Sequence, residues 1–545
     1  MQQLLSVFGY LSVLARGILL ALQTLIIGGV GFLLLVAHPA LRAQSDDLSV
    51  IDLRLKRVLL WAAAVMAVIQ ISWAAFDSAI LMSTAQLPFR DVLGADFFVA
   101  SAVIVFADIV LVALFAAGTP TWTAVPSCLA ILFGDVATGH SWSRLDHRVL
   151  LSTFSFVHQL TAGLWIGGVA FLLMAVGCTQ NDTAASLLGK RFSRLAILSV
   201  IGVLGAGIGL SFFYIDSPSA AYGTAYGIMV ISKVALFLVL LAIGALNKSL
   251  VERLSFDPSR LLKLLRRNME AEIGIGFTVL LAAASLTSQP PAVDLRDYRL
   301  TGQEVAQNFA PRWPRLTSPD VGELAKPTRQ ILKEEAEKNG RPSTYAPGLG
   351  LGAPETPAGK AWSEYNHNWA GLMVFTIGIL AVASRFKQMR WARHWPLVFI
   401  GLAIFIFLRA DPENWPLGPN GFWESCLEAD VLQHRFFSLL TVGFAIFEWR
   451  VQTGRSGRRI YAYVFPAVCA VGGALLFSHS HSLGNIKSET LIEWSHIQLA
   501  FFAVLAGWSR WAELKSPPEQ RSLCAWTWSI CFVLIGTVLM LYREI

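Results

Sequence analysis

Stretches of about twenty apolar residues recur along this sequence, each long enough to carry an α-helix across the hydrocarbon layer of a bilayer. In hydrocarbon every backbone N–H and C=O needs a partner within the protein, so runs of this length select helices. They fall at about 14–37, 57–76, 96–117, 122–139, 150–176, 194–215, 225–247 and 271–289, and then at about 367–384, 395–409, 431–450, 460–479, 491–509 and 524–542. The 545 residues are 55% hydrophobic and only 14% charged, where a soluble chain carries about a quarter charged residues. The expected fold class is all-α: a polytopic membrane helical bundle of about fourteen helices, eight in a first half and six in a second.

The charges sort by connection. Every second one is basic: Arg54/Lys56/Arg57, Lys190/Arg191/Arg194, Lys248 to Arg267, Arg385 to Arg393, Arg450 to Arg459, and Arg510/Lys515/Arg521. The connection from Asp411 to Asp430 holds no basic residue. The positive-inside rule puts the basic loops in the cytoplasm and both termini outside. The net charge of +7 is thus explained by topology, and no nucleic-acid partner is expected. No nucleotide-binding motif occurs, which argues against ATP-driven pumping by this chain. None of the six cysteines forms a CxxC pair, so neither a disulfide framework nor a thiolate metal site is implied. Ala40-Leu41-Arg42-Ala43 loosely resembles a cleavage site, but the run before it is too long for a signal peptide and reads as a membrane helix.

One polar segment breaks the pattern. Residues 290–362 are proline-rich and read as an outer, irregular linker with one short helix near 319–338. It joins a membrane domain at 1–289 to another at 363–545.

Asp135 to Gly168 organises the first half. The pattern predicts the end of one membrane helix, closed by His140, then a turn and the start of the next, with His158 in its opening turns. The two histidines are expected near one membrane surface, within reach of one another. Ala162 and Trp165 follow His158 at helical spacing, while Gly163 and Gly167 form a GxxxG face for close helix approach. Asp108, Asp135 and Lys233 are ionisable groups inside apolar helices; such groups pair, here as an Asp–Lys contact, or line an ion path.

Eight of the ten histidines fall at outer helix ends, with only His38 and His394 on the cytoplasmic side. In the second half His367 opens its helix, Asp430 and His434 lie one turn apart, and His479 and His481 end a helix. Glu489, Glu493 and His496 then share one face of the next. Imidazoles beside carboxylates suit copper or zinc by ligand type, so His140, His158, His367, His434, His479, His481 and His496 are the candidate metal residues. Asp108, Asp135, Lys233, Asp430 and Glu493 support them or line the path. A rival use is haem b held between two of these histidines in a redox subunit; another is structural, with Asp430/His434 and Glu493/His496 as intrahelical polar pairs.

Several stretches of the first half, taken together, resemble the CopD/PcoD copper-resistance membrane proteins. They are Thr138-Gly139-His140, FVHQLTAGLWIGG at 156–168, RFSRLA at 191–196, YGIMVISKVALFLVLLAIGALNK at 226–248 and MEAEIGIGFTVLLAAASLTSQPPA at 269–292. The resemblance covers roughly residues 10–292. It implies an inner-membrane protein that moves copper, without enzymatic turnover, often beside a periplasmic CopC-like copper carrier. Its matching positions here are His140, His158, Trp165, Lys233 and Glu272. The six-helix half resembles the C-terminal extensions of longer family members, with WPLG at 415–418 and the His479-Ser480-His481 turn as marks. No CopC-like domain is expected within the sequence.

Overall fold

A computed structural model describes residues 2–42, 45–179, 181–254, 257–319, 357–412, 414–427, 429–455, 457–477, 486–517 and 521–544. Among them every regular element is helical. The helix expected near 319–338 lies, but for its first residue, outside the described residues, as do His479 and His481.

Twelve helices among the described residues are long and apolar enough to cross a membrane, and the protein is a multi-pass helical membrane protein. The two remaining expected spans are also helices, but fall short for different reasons. Thr121–Ala137 is apolar and short. In Ala429–Gln452 the apolar run is broken by Gln433, His434, Arg435 and Glu448.

The chain divides into two compact units, Met1–Ala221 with Met229–Leu295, and Tyr222–Ile228 with Arg296–Ile545. The long helices of the first unit are α1 (Gln2–Phe32), α2 (Ser45–Ala85), α3 (Asp96–Ala116), α4 (Val125–Ala137), α5 (Arg148–Ala162), α6 (Gly168–Cys178), α7 (Asp182–Tyr214), α8 (Ala225–Arg253) and α9 (Pro258–Thr287). The first turn of α8 clusters with the second unit. A π-helical turn, Gly163–Gly167, joins α5 to α6.

Within this unit α1 is the central helix: 67% of its apolar window is buried, against 17% for α7. Glycines make that possible. A Cβ placed on Gly167 would sit 2.0 Å from the carbonyl oxygen of Thr24, and one on Gly28 would sit 2.5 Å from that of Gly163. The GxxxG face of the π-helical turn therefore meets α1 backbone to backbone, where dispersion contacts replace the hydrophobic drive that lipid cannot supply. A bidentate ion pair also ties α1 to α4, with Arg16 Nη1 2.5 Å from Asp135 Oδ1 and Nη2 3.0 Å from Oδ2.

The second unit carries α10 (Gly302–Asn308), α11 (Pro357–Ala383), α12 (Val398–Arg409), α13 (Ala429–Gln452), α14 (Val464–Leu476), α15 (Ile486–Lys515) and α16 (Arg521–Met540). Its core is aromatic. Trp395, Phe465, Trp528 and Phe532 pack with ring centroids 5.2–6.2 Å apart, a spacing that suits tilted and edge-to-face rings. Beside it, Glu513 accepts hydrogen bonds from Arg385 Nη1 (2.6 Å), Arg510 Nη1 (2.6 Å) and Trp528 Nε1 (2.7 Å).

Candidate functional site

The π-helical turn sets the geometry of the best-formed site. An inserted residue of this kind shifts the helix register and is frequent at functional positions. Within the turn Trp165 is buried and donates its indole N–H to Glu272 Oε1 of α9 at 2.9 Å. Its ring also packs edge-on against Phe237 of α8, 5.8 Å between centroids. Asn247 of α8 donates to Glu272 Oε2 at 2.7 Å. Each carboxyl oxygen is thus held by one neutral donor, and among the described residues no cation pairs with the buried group.

Asn247 adds the other half of the argument. With its amide N–H engaged, its carbonyl oxygen Oδ1 is buried and has no hydrogen-bond partner among the described residues. A fixed carboxyl beside an orphaned acceptor is a pocket of lone pairs, complementary to a cation or a proton donor. The pair lies on the wall of a cavity of about 300 Å³, lined also by Trp165, Phe192, Lys248 and the thioether-bearing Met269.

A second feature stands at the other end of these helices. Helix α4 stops at Ala137, and His140 begins a separate short turn, His140–Ser143, rather than closing α4 as the sequence pattern suggests. Its Nε2 is buried without a partner among the described residues. Burial pulls the His140 imidazole below its ordinary pKa, and Arg144 adds to this; the backbone at Gln289 and Thr287 and the Asp294 carboxylate oppose it. Arg144 is held in turn by Asp294, with Nη2 to the two carboxylate oxygens at 2.5 and 2.6 Å. A neutral imidazole with an unused ring nitrogen is the ligand form of histidine.

Residues 187–286, which contribute Asn247, Glu272 and most of the cavity wall, match the family described as copper resistance protein D, CopD. Over that segment the chain is similar to the CopD membrane proteins. It is also 30% identical over 204 residues to the copper transport protein CutJ of Bacillus subtilis (strain 168). That alignment takes in 35% of this chain and 36% of CutJ, about a third of the relative's length. No solved structure matches the chain.

In the first unit the expected residues are placed as follows. His158 donates through Nδ1 to the carbonyl of Val203 on α7 at 3.1 Å, with Gly207 leaving room beside the ring. It thus faces α7, whereas His140 faces the end of α9, and the two rings have different neighbours. Trp165 leaves the His158 stripe for α8 and α9 across the π-helical turn. Asp135 pairs with Arg16 and not with Lys233; Lys233 lies close to His158 instead. Asp108 is fully buried, with no hydrogen-bond partner for either carboxyl oxygen among the described residues.

Outside the CopD match, the second unit brings two of the expected histidines to one residue that the sequence did not single out. The ring of Tyr542 stacks on His367 at 4.0 Å and meets His496 edge-on at 6.4 Å. Each imidazole donates Nδ1–H to a carbonyl one turn earlier in its own helix, Ser363 and Ile492, both at 2.9 Å. Any metal bond from either ring would be made by Nε2. The Nδ1 bond of His496 goes to that backbone and not to Glu493, which is buried on the same helix. His434 bonds Asp411 Oδ1 at 2.8 Å; the expected pair with Asp430 falls on a side chain outside the described residues. Among the described residues no three His, Cys, Asp or Glu side chains are grouped to hold a metal ion.

Sequence reasoning missed Arg16, Asn247, Asp411 and Tyr542. Asn247 lies inside the quoted 226–248 stretch, where a lone amide at the end of an apolar run was the available signal.

Proposed function

We propose that this protein transports copper across a bacterial inner membrane, by binding and release and without enzymatic turnover. The observation that carries the reading is the Glu272–Asn247 pocket, because both residues lie in the CopD-matched segment and present acceptors that no cation balances among the described residues. Imidazole, carboxylate, amide oxygen and thioether are all donors that copper accepts. In this reading the basic loops are cytoplasmic, both termini and the 290–362 linker are periplasmic, and His140 stands at the outer mouth. Copper enters at His140 and passes by His158 and Lys233 to Glu272 at the inner end. A periplasmic CopC-like carrier is the expected donor. The histidines of the second unit, His367, His434, His479, His481 and His496, are a further set of contacts for the ion.

Metal analysis and a visible spectrum of the purified protein test this reading. Stoichiometric copper, reduced by His140→Ala and by Glu272→Gln, is the expected result. A Soret band without copper would overturn it in favour of a haem b redox subunit.

A further inference from the structure

Asp108 is an expected ion-path residue of the first unit that the pocket and the outer histidine leave unexplained. It lies in the second half of α3, inside a span of high hydropathy. Its side chain is 0% exposed, and among the described residues neither oxygen receives a hydrogen bond. Helix α3 packs against α2, α4 and the turn Thr121–Ala124. On α4 the buried thiol of Cys128 lies near enough to feel the carboxyl's charge. Among the described residues no charged side chain on α2, on α4 or in the turn interacts with it. The nearby polar groups of α2 and α3 are occupied with each other, Gln70 donating to Ser101 at 2.9 Å.

An ionised carboxylate in such a place costs several kcal/mol, and no structural bond offsets that cost. The group is therefore neutral, carrying its proton. A copper ion is a poor occupant here, since one carboxyl and one thiol give too few ligands and the described residues group no third. A proton needs a single acceptor.

We propose that Asp108 is the proton-binding site that couples proton movement to ion transport by the first unit. In the described state it is –COOH, sealed where α3 packs against α2 and α4. When that seam opens to water on one side, the O–H bond breaks, the proton leaves to solvent, and the carboxylate is reprotonated from the other side before the seam closes. Proton coupling also supplies an energy source to a sequence without a nucleotide-binding motif. The inference rests on the transport reading for the identity of the ion, but the proton site is measurable without copper.

Infrared difference spectra of the purified full chain, wild type minus Asp108→Asn at neutral pH, should show a protonated-carboxyl C=O band. The absence of that band would overturn the proposal. In proteoliposomes with the membrane potential clamped, one proton per ion and a gradient of one pH unit support about a tenfold copper accumulation ratio. Asp108→Asn should bring that ratio to unity while leaving copper self-exchange intact, which also shows that the variant is folded. An unchanged ratio would overturn the coupling. A wild type with the band but no copper flux would overturn the copper reading alone and support the proton site.

Discussion

Asp108 in the first unit and Glu513 in the second are both carboxyls buried among membrane helices, and their surroundings are opposite. Glu513 is gripped by Arg385, Arg510 and Trp528, with both guanidiniums also lying over the Trp528 ring at 5.0 and 5.3 Å. Asp108 has no donor among the described residues. A buried carboxylate with two cations is a fastening: moving it would strand charges in a medium that cannot solvate them. A buried carboxyl with no partner fastens nothing, and its neutral form is held only by burial. The same side-chain chemistry thus serves stability in one unit and is left available for exchange in the other. The Glu272–Asn247 pocket belongs with Asp108 in this respect, since it too is short of donors.

Substitution breaks this comparison most sharply at Glu513. Glu513→Gln keeps the shape and removes the charge between two guanidiniums. It should destabilise the protein by about 3 kcal/mol, the low end for a broken buried pair because Arg385 keeps a fifth of its side-chain surface. Thermal unfolding in detergent, followed by tryptophan fluorescence, reads this as a clear fall in midpoint, and an unchanged midpoint would mean that the cluster fastens nothing. The smaller effect belongs to Asp108→Asn, which should move the same midpoint by less than about 1 kcal/mol, since no hydrogen bond is lost. A loss as large as that of Glu513→Gln would reveal a partner and end the contrast.

How much of this was legible in sequence follows from the range of each interaction. Apolar run length located the helices, because crossing hydrocarbon is a local demand on about twenty residues. Gly163 and Gly167 announced a close helix contact, though not that α1 would fill it. Trp165 and Glu272 were marked by the family resemblance, and their hydrogen bond spans 107 positions. Pairings between distant helices stayed hidden. Arg16 and Asp135 lie 119 positions apart, and nothing in the periodicity near either names the other. The bond between His434 and the loop residue Asp411, 23 positions apart, was hidden in the same way. The π-helical turn was invisible because it changes the backbone register without changing the apolar pattern.

The central proposal is that the first unit moves copper through the Glu272 pocket, and copper uptake into proteoliposomes tests it most directly. Wild-type protein should load vesicles above the protein-free level, and Glu272→Gln should lose most of that uptake while keeping the wild-type unfolding midpoint to within about 1 kcal/mol. Wild-type uptake equal to protein-free vesicles, or full uptake by Glu272→Gln, would contradict the account.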